Sequence, residues 1–363
     1  MNARALLLCL LALACTSCSR GVLPEGDPAE QIDRLMSDYE RLGLFSGAVL
    51  AAEGDTVVYE GAFGVADRER GIPNTVDTRF RIASISKPFT QILVLQQVED
   101  GTLDLNGTIS DYIPEYMGAA ADRITVEQLL THSSGIVGEW AVENLEEIEP
   151  NYHTQEQLLE HIAGYDLWFE PGTRSGYSNF GYFLLGVIVE RVSGKTYAEL
   201  LEERICKLAG MKDTMIDVTT DVIERRALGY HGDNKRGFED APPLDMSFVF
   251  GYGQLLSTVR DLYLWDRALR DGRFLSEDFT TFVTDFAAER DPIGTAGREI
   301  DAIRFGGSIN GFLCSTHSYT EDGRFVVVLS NAKDTTGDVL PSTFDVARNI
   351  AAILYGFRYE HPK

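Results

Sequence analysis

Strand-forming sequence lies near both ends of this chain, and the long stretch between them reads mostly as helix and loop. Ser46 to Glu53 and Thr56 to Val65 are rich in β-branched and aromatic residues and flank Gly54-Asp55, a hairpin signal. Phe312 to Tyr319 and Arg324 to Ser330 repeat the pattern around the turn Glu321-Asp322-Gly323. Between the pairs, helical spacing runs from near Ser84 to about Asp100, where Gly101 stops it, and returns over Phe180–Val192 and Ala198–Leu208. An amphipathic helix over Asp27–Leu42 and a final helix over about Ser342–Tyr355 complete the order. Strands from both ends can share one sheet only around a large insertion. The expected class is therefore α+β, with sheet parts at about 29–100 and 296–357, a mostly helical insertion at about 101–295, and the site in the cleft between them.

The 363 residues, 44% of them hydrophobic, suffice for a sizeable core. With 56 acidic against 32 basic side chains the net charge is −24, a field that repels phosphate backbones and argues against nucleic-acid binding. The first twenty residues read as targeting sequence: a basic start at Met1–Arg4, an apolar run at Ala5–Ala14 too short to span a bilayer, and small residues at Ala12-Leu13-Ala14. Cys15 or Cys18 would become a lipidated N-terminus if this is a lipoprotein signal, although the residues before each cysteine fit that pattern imperfectly. Export follows in either case, to the periplasm or cell envelope as a lipoprotein or in freely secreted form. Residues 21–28 read as a tether and 29–357 as the folded domain. Cys206 and Cys314 are the only cysteines of that domain and read as buried free thiols, their pairing left open. The six histidines are scattered and no Cys-x-x-Cys occurs, so neither a metal site nor a cofactor is expected.

Three motifs carry chemistry. Ser84 and Lys87 are three apart and share a helix face; a serine hydroxyl needs a base, and a lysine can serve if burial and a helix N-terminus lower its pKa. Pro88 is tolerated because it falls in the first turn. Ser330-Asn331-Ala332-Lys333 has the same spacing but follows a strand into a turn and offers no helical face. Tyr177-Ser178-Asn179, just before the Phe180 helix, sets a phenol able to relay a proton beside an amide able to orient a lysine or a substrate. Phe305-Gly306-Gly307-Ser308 precedes a strand, and its glycines allow a backbone or a substrate to approach closely.

In this order and spacing the motifs resemble the serine β-lactamase and penicillin-binding-protein superfamily, most closely its class C-like, D-alanyl-D-alanine carboxypeptidase and family VIII esterase branch. Leu129-Leu130-Thr131-His132-Ser133-Ser134-Gly135, Phe169-Glu170-Pro171-Gly172 and Gly251-Tyr252-Gly253-Gln254 also match, and the likeness covers about residues 30–355. The resemblance implies an antiparallel sheet flanked by helices, with Ser84 as nucleophile, Lys87 as its base and Tyr177 sharing proton transfer. It further implies that Asn179 holds the lysine and the substrate amide, and that the N–H groups of Ser84 and Ser308 form the oxyanion hole. Phe305, Gly306 and Gly307 would line the substrate, and His132 would serve structure. One position departs: the third motif of lactamases and peptidases starts with Lys or His, whereas esterases of the family often carry an aromatic there, as Phe305 does. Arg304 next door would face the other way on a strand. The expectation is a cofactor-free serine hydrolase acting on carboxylic esters or D-amino-acid-containing peptides. A β-lactamase proper, or an inactive relative that binds cell-wall peptides or a partner, is the alternative. An α/β-hydrolase would need a Gly-x-Ser-x-Gly elbow, which no serine here occupies.

Overall fold

The computed structural model describes residues 21–233, 235–334 and 340–362, so the expected targeting sequence, with Cys15 and Cys18, lies outside the described residues. Helix α1 (Pro28–Arg41) starts where the Asp27 carboxylate accepts from the Ala29 N–H and Pro28 occupies the first position. Strands β1 (Gly47–Glu53) and β2 (Thr56–Phe63) form the hairpin around Gly54-Asp55. Helices α2 (Ser86–Glu99), α3 (Asn179–Ser193) and α4 (Val259–Arg270) follow in the middle of the chain. The chain closes with β3 (Ala288–Ile293), β4 (Arg298–Ile309), β5 (Phe312–Tyr319), β6 (Arg324–Ser330) and α5 (Thr343–Leu354). The six strands make one sheet in the order β3-β4-β5-β6-β1-β2, every neighbour antiparallel. Both ends of the chain thus build one sheet.

Three expectations need correction. Strand β3 lies within the stretch expected to be helical insertion, because its sequence, Ala-Glu-Arg-Asp-Pro-Ile, buries only Asp291 and Ile293 and shows no apolar alternation. The Phe305-Gly306-Gly307-Ser308 motif lies inside β4 rather than ahead of a strand. Residues 21–28 are no free tether either: Val22 pairs with Tyr359 through two backbone hydrogen bonds of 2.9 and 3.0 Å, and Pro28 already belongs to α1.

Period-2 alternation assigns each sheet face to its own core. Val49, Ala51, Val326 and Val328 face α1 and α5, meeting Ile32, Leu35, Val346 and Ile350. Ala48, Leu50, Val327 and Leu329 face the other way, toward the core that contains α2, α3 and α4. Helix α2 is buried on every side from Ser86 to Gln97, so each polar side chain in it must find a partner. Gln91 donates to the Tyr182 hydroxyl (2.7 Å), Gln97 to the Val189 carbonyl (2.9 Å) and Thr90 to the Gly251 carbonyl (2.6 Å). These bonds fix the rotation and height of α2, and with them the residues at its start. Cys206 and Cys314 are buried and unpaired.

Edge strand β3 is tied down by one fully buried carboxylate. Asp291 accepts from Arg304 and Arg348 at 2.7 Å each, from the His317 Nδ1 at 2.7 Å and from the Tyr319 hydroxyl at 3.0 Å. Burial alone would raise its pKa, but His317, Arg348 and Arg304 hold it well below the usual carboxylate range. Removing one partner of a buried ionic cluster strands the other charges. Asp291→Ala is therefore expected to lower unfolding stability by about 3 kcal/mol or more, read from the denaturant midpoint; a loss under about 1 kcal/mol would show that the cluster does not hold the edge.

Candidate active site

The turn before α2 sets the geometry. Residues Ala83–Ile85 form a 3₁₀ turn in which Ala83 takes a φ of +50°, a left-handed conformation that costs a non-glycine residue energy and that surrounding packing must enforce. The Ile82 N–H donates to the Leu255 carbonyl (3.0 Å), and the Leu255 N–H donates to the Ser86 hydroxyl (3.3 Å), so the turn is clamped at both ends. Ser84 lies in this turn and Lys87 in the first turn of α2. In 3₁₀ geometry residues three apart eclipse, which brings the two side chains together. Lys87 Nζ donates to Ser84 Oγ at 3.1 Å, and the Tyr177 hydroxyl donates to the same oxygen at 2.9 Å. Ser84, Lys87 and Tyr177, expected from separate motifs, meet at one atom.

Lys87 is buried, and no carboxylate among the described residues bonds its ammonium. Its other contact is the Tyr252 carbonyl at 3.4 Å, and the rings of Tyr177, Tyr252 and Tyr182 surround it at 4.7, 5.3 and 5.7 Å. Burial pushes its pKa down to about 7, with the more distant charge of Glu139 opposing. Tyr177 is 51% exposed, its ring open to the cleft while its hydroxyl turns inward to Ser84. Desolvation of that end pushes the phenol up to about 12, the Ser84 hydrogen bond working against the shift. The resting site therefore pairs an amine that titrates near neutrality with a phenol that stays protonated.

Asn179 differs from its expected place. Its amide donates to Glu139 at 2.5 Å rather than holding Lys87, and its Oδ1 is buried without a partner among the described residues. Helix α3 begins at Asn179 because Ser178 caps it, accepting from the Gly181 N–H (3.0 Å) and donating to the Val137 carbonyl (2.9 Å). The Ser178 N–H donates to His132 Nδ1 at 3.1 Å, and the His132 ring lies 4.7 Å from that of Tyr177. An imidazole accepting at Nδ1 is neutral, and burial, helped by the Lys87 charge, pushes its pKa down to about 3. His132 props Tyr177 and takes no proton.

The third motif forms the facing wall. Phe305 and Gly307 point to the face that carries α2, while Arg304, Gly306 and Ser308 point to the other. Phe305 is half-buried and packs edge-on against Trp265 at 5.5 Å, which itself stacks on Phe89 of α2. A Cβ on Gly306 would lie 2.6 Å from the Phe344 ring, and one on Gly307 would lie 2.2 Å from the Ile82 carbonyl and 3.1 Å from Ser84 N. Both glycines are needed for β4 to fit between α5 and the nucleophile turn. Arg304 turns away from Ser84 to Asp291, as its strand position requires.

The edge of β4 is open where it passes the site. The Arg304 N–H donates outward to the Ala287 carbonyl (2.9 Å), and beyond that point β3 no longer covers the strand. Backbone groups alternate along a strand, so the Ser308 N–H, four residues on, also points outward to the uncovered edge. Sequence reasoning missed Glu139, the Tyr252 carbonyl and two exposed indoles near the cleft, Trp140 (58% exposed) and Trp168 (46%), 5.1 Å apart. Only tertiary contacts bring these together. Among the described residues no group of three or more His, Cys, Asp or Glu side chains is arranged to hold a metal ion.

Known proteins resemble this chain in sequence and fold. Esterase EstB of Burkholderia gladioli is 32% identical over 206 residues, 53% of this chain and 51% of the esterase. A D-aminopeptidase of Brucella anthropi is 27% identical over 319 residues, 84% of this chain and 59% of the peptidase. The chain thus spans between half and three fifths of the length of these curated relatives. The crystal structure of a penicillin-binding protein from Bacillus halodurans superposes with a TM-score of 0.74 at 25% identity, covering 90% of this chain and 99% of that one. The profile of the Beta-lactamase family matches residues 29–343, and the chain belongs to that family.

Proposed function

We propose that this protein is a serine hydrolase that forms an acyl-enzyme on Ser84 and acts on carboxylic esters or D-amino-acid-containing peptides. The observation that carries the reading is the double hydrogen bond to Ser84 Oγ from a buried lysine and a protonated tyrosine. In the proposed reaction Lys87, as free amine, takes the Ser84 proton while Oγ attacks the carbonyl carbon. The oxyanion is received by the N–H groups of Ser84 and Ser308, whose approach depends on Gly307. Tyr177 passes a proton to the leaving oxygen or nitrogen and takes one back from the Lys87 ammonium, so that Lys87 is again a free amine and serves as base when water resolves the acyl-enzyme. The unpartnered Asn179 Oδ1 is free to accept a substrate amide N–H. Phe305 in place of a cation and the EstB relative support esters; the D-aminopeptidase relative supports D-amino-acid peptides. Export through residues 1–20, with or without lipid on Cys15 or Cys18, belongs to the same proposal.

A chromogenic short-chain ester and a chromogenic cephalosporin, each tested with wild type and Ser84→Ala, decide the assignment. Ester turnover that depends on Ser84 is expected, with the cephalosporin a poor substrate; equal turnover by the two proteins would overturn it. The base must be neutral, so kcat/KM should rise with pH through about 7 and then stay level, since Tyr177 keeps its proton to about 12. Tyr177→Phe should lose roughly a hundredfold in kcat and keep the limb near pH 7, because Lys87 sets it. Gly307→Ala should cost roughly a hundredfold in kcat/KM with a smaller change in melting temperature, as the new methyl pushes β4 from the Ser84 turn. Unchanged turnover would show that Ser308 is not the oxyanion donor.

A further inference from the structure

Five of the eleven residues from Glu139 to Glu149 are glutamates, at 139, 143, 146, 147 and 149, and none of them forms an ion pair among the described residues. The segment is an arm pinned at both ends. At its start Glu139 accepts from the Asn179 amide, and Gly138 lies so close to the Tyr177 carbonyl that an added Cβ would stand 3.7 Å from it. At its end the Asp245 N–H donates to the Glu149 carbonyl (2.7 Å), and the Glu149 carboxylate takes a hydrogen bond from Asn310, in the turn between β4 and β5. Between them Val142 is buried, and the one-turn helix Leu145–Ile148 is held by His153 Nε2, which donates to the Ile148 carbonyl (3.1 Å). The arm therefore bridges the start of α3 and the sheet, with Glu139 and Glu149 half-buried at its two ends.

Like charges gather here without a countercharge. Burial raises the Glu149 carboxyl above its ordinary value, and the charges of Glu139 and Glu146 add to the shift. Glu139 also acts on Lys87 and Tyr177, so the negative field extends to the nucleophile. Lys87 titrates near 7 and is no lasting countercharge, and the Arg174 guanidinium stacks instead on Trp168 and Phe169 at 5.0 and 4.7 Å. Two further features point to a ligand. Asn179, 7% exposed, keeps its Oδ1 unpartnered among the described residues while its amide holds Glu139, which leaves an acceptor for an N–H beside a carboxylate. Trp140, next to Glu139 in the chain and 58% exposed, offers an open indole to a cation. The carboxylates are not grouped as a metal ion requires, so the charge that fits them is organic.

We propose that the Glu139–Glu149 arm, with Trp140, is a recognition site for a cationic group of the substrate, a primary ammonium carried several bonds from the scissile carbonyl. The Ser84–Tyr177 hydrogen bond and the length of one tyrosine separate the nucleophile from the arm by roughly 9 Å, the reach of a chain of five methylenes. The inference rests on the reading of Ser84 as nucleophile. It narrows the substrate class to esters or amides with a lysine-like chain on the acyl or the leaving half.

Two pairs of esters test it, each differing only in an ammonium against a methyl group. p-Nitrophenyl 6-aminohexanoate and p-nitrophenyl heptanoate vary the acyl half; 5-aminopentyl acetate and hexyl acetate vary the alcohol. Wild type should prefer the cationic member of at least one pair in kcat/KM, and the preference should weaken as salt is raised, because exposed charges are screened. Glu146→Gln and Glu149→Gln together should reduce that ratio at least about tenfold, the worth of one hydrogen bond to a charged group, mainly through KM for the cationic compound. The glutamine at 149 keeps an oxygen to accept from Asn310, and general damage to the fold cancels in the ratio. Trp140→Leu should reduce the ratio roughly threefold. A ratio unchanged in the double variant, or a wild type that favours the cationic member of neither pair while still cleaving the short-chain ester, overturns the role of the arm and leaves the hydrolase reading intact. A wild type that cleaves none of the four compounds, nor the short-chain ester, overturns the hydrolase reading and this inference with it.

Discussion

A lysine ammonium buried without a carboxylate partner is the constraint around which the rest of this structure is organised. Desolvation disfavours the charged form and moves Lys87 toward neutrality, but only while water is kept out. Keeping water out demands a helix buried on all sides, and α2 meets that demand by pairing the Thr90 hydroxyl and the Gln91 and Gln97 amide N–H groups with Gly251, Tyr182 and Val189. Three tyrosine rings close the space around the amine, and their faces offer a cation weak compensation without the strong pKa-raising effect of a carboxylate. Glu139, the nearest acidic influence, is engaged with Asn179 instead.

The sheet supplies what the helix cannot. In the proposed reaction a nucleophile and its base need an oxyanion site opposite them, and the place proposed for it is the uncovered edge of β4 beside the left-handed turn. Gly306 and Gly307 thin β4 on both faces, so that Phe344 packs behind it and the Ile82–Ser84 backbone in front. The outer part of the same strand is held by Asp291 and its cationic partners, well away from the open end. One strand is therefore anchored at one end and exposed at the other.

Much of this was legible in the sequence, and the exceptions have physical reasons. The helix over Asp27–Leu42, the Gly54-Asp55 hairpin and the two C-terminal strands were visible because one-sided burial writes a period into the residues. Ser84 and Lys87 were visible through spacing along one turn, and Tyr177 through its motif. Strand β3 was not, since an edge strand that buries only Asp291 and Ile293 needs no apolar alternation. Asn179 was expected on Lys87 and bonds Glu139, 40 residues away, a pairing that local sequence cannot express. Lys333 looked like a chance repeat of the Ser84 spacing; only the register linking Ser308, Leu313 and Ser330 places its ammonium at the third motif.

The central claim, that burial makes Lys87 a neutral base near physiological pH, can be tested on the amine itself. In protein labelled with ¹³C and ¹⁵N at lysine, the Lys87 side-chain resonance is identified by its loss in Lys87→Arg and followed across the pH range. The account predicts a titration midpoint near 7. A midpoint close to the ordinary lysine value of 10.5 would contradict it, because the amine beside Ser84 would then be charged whenever the enzyme works.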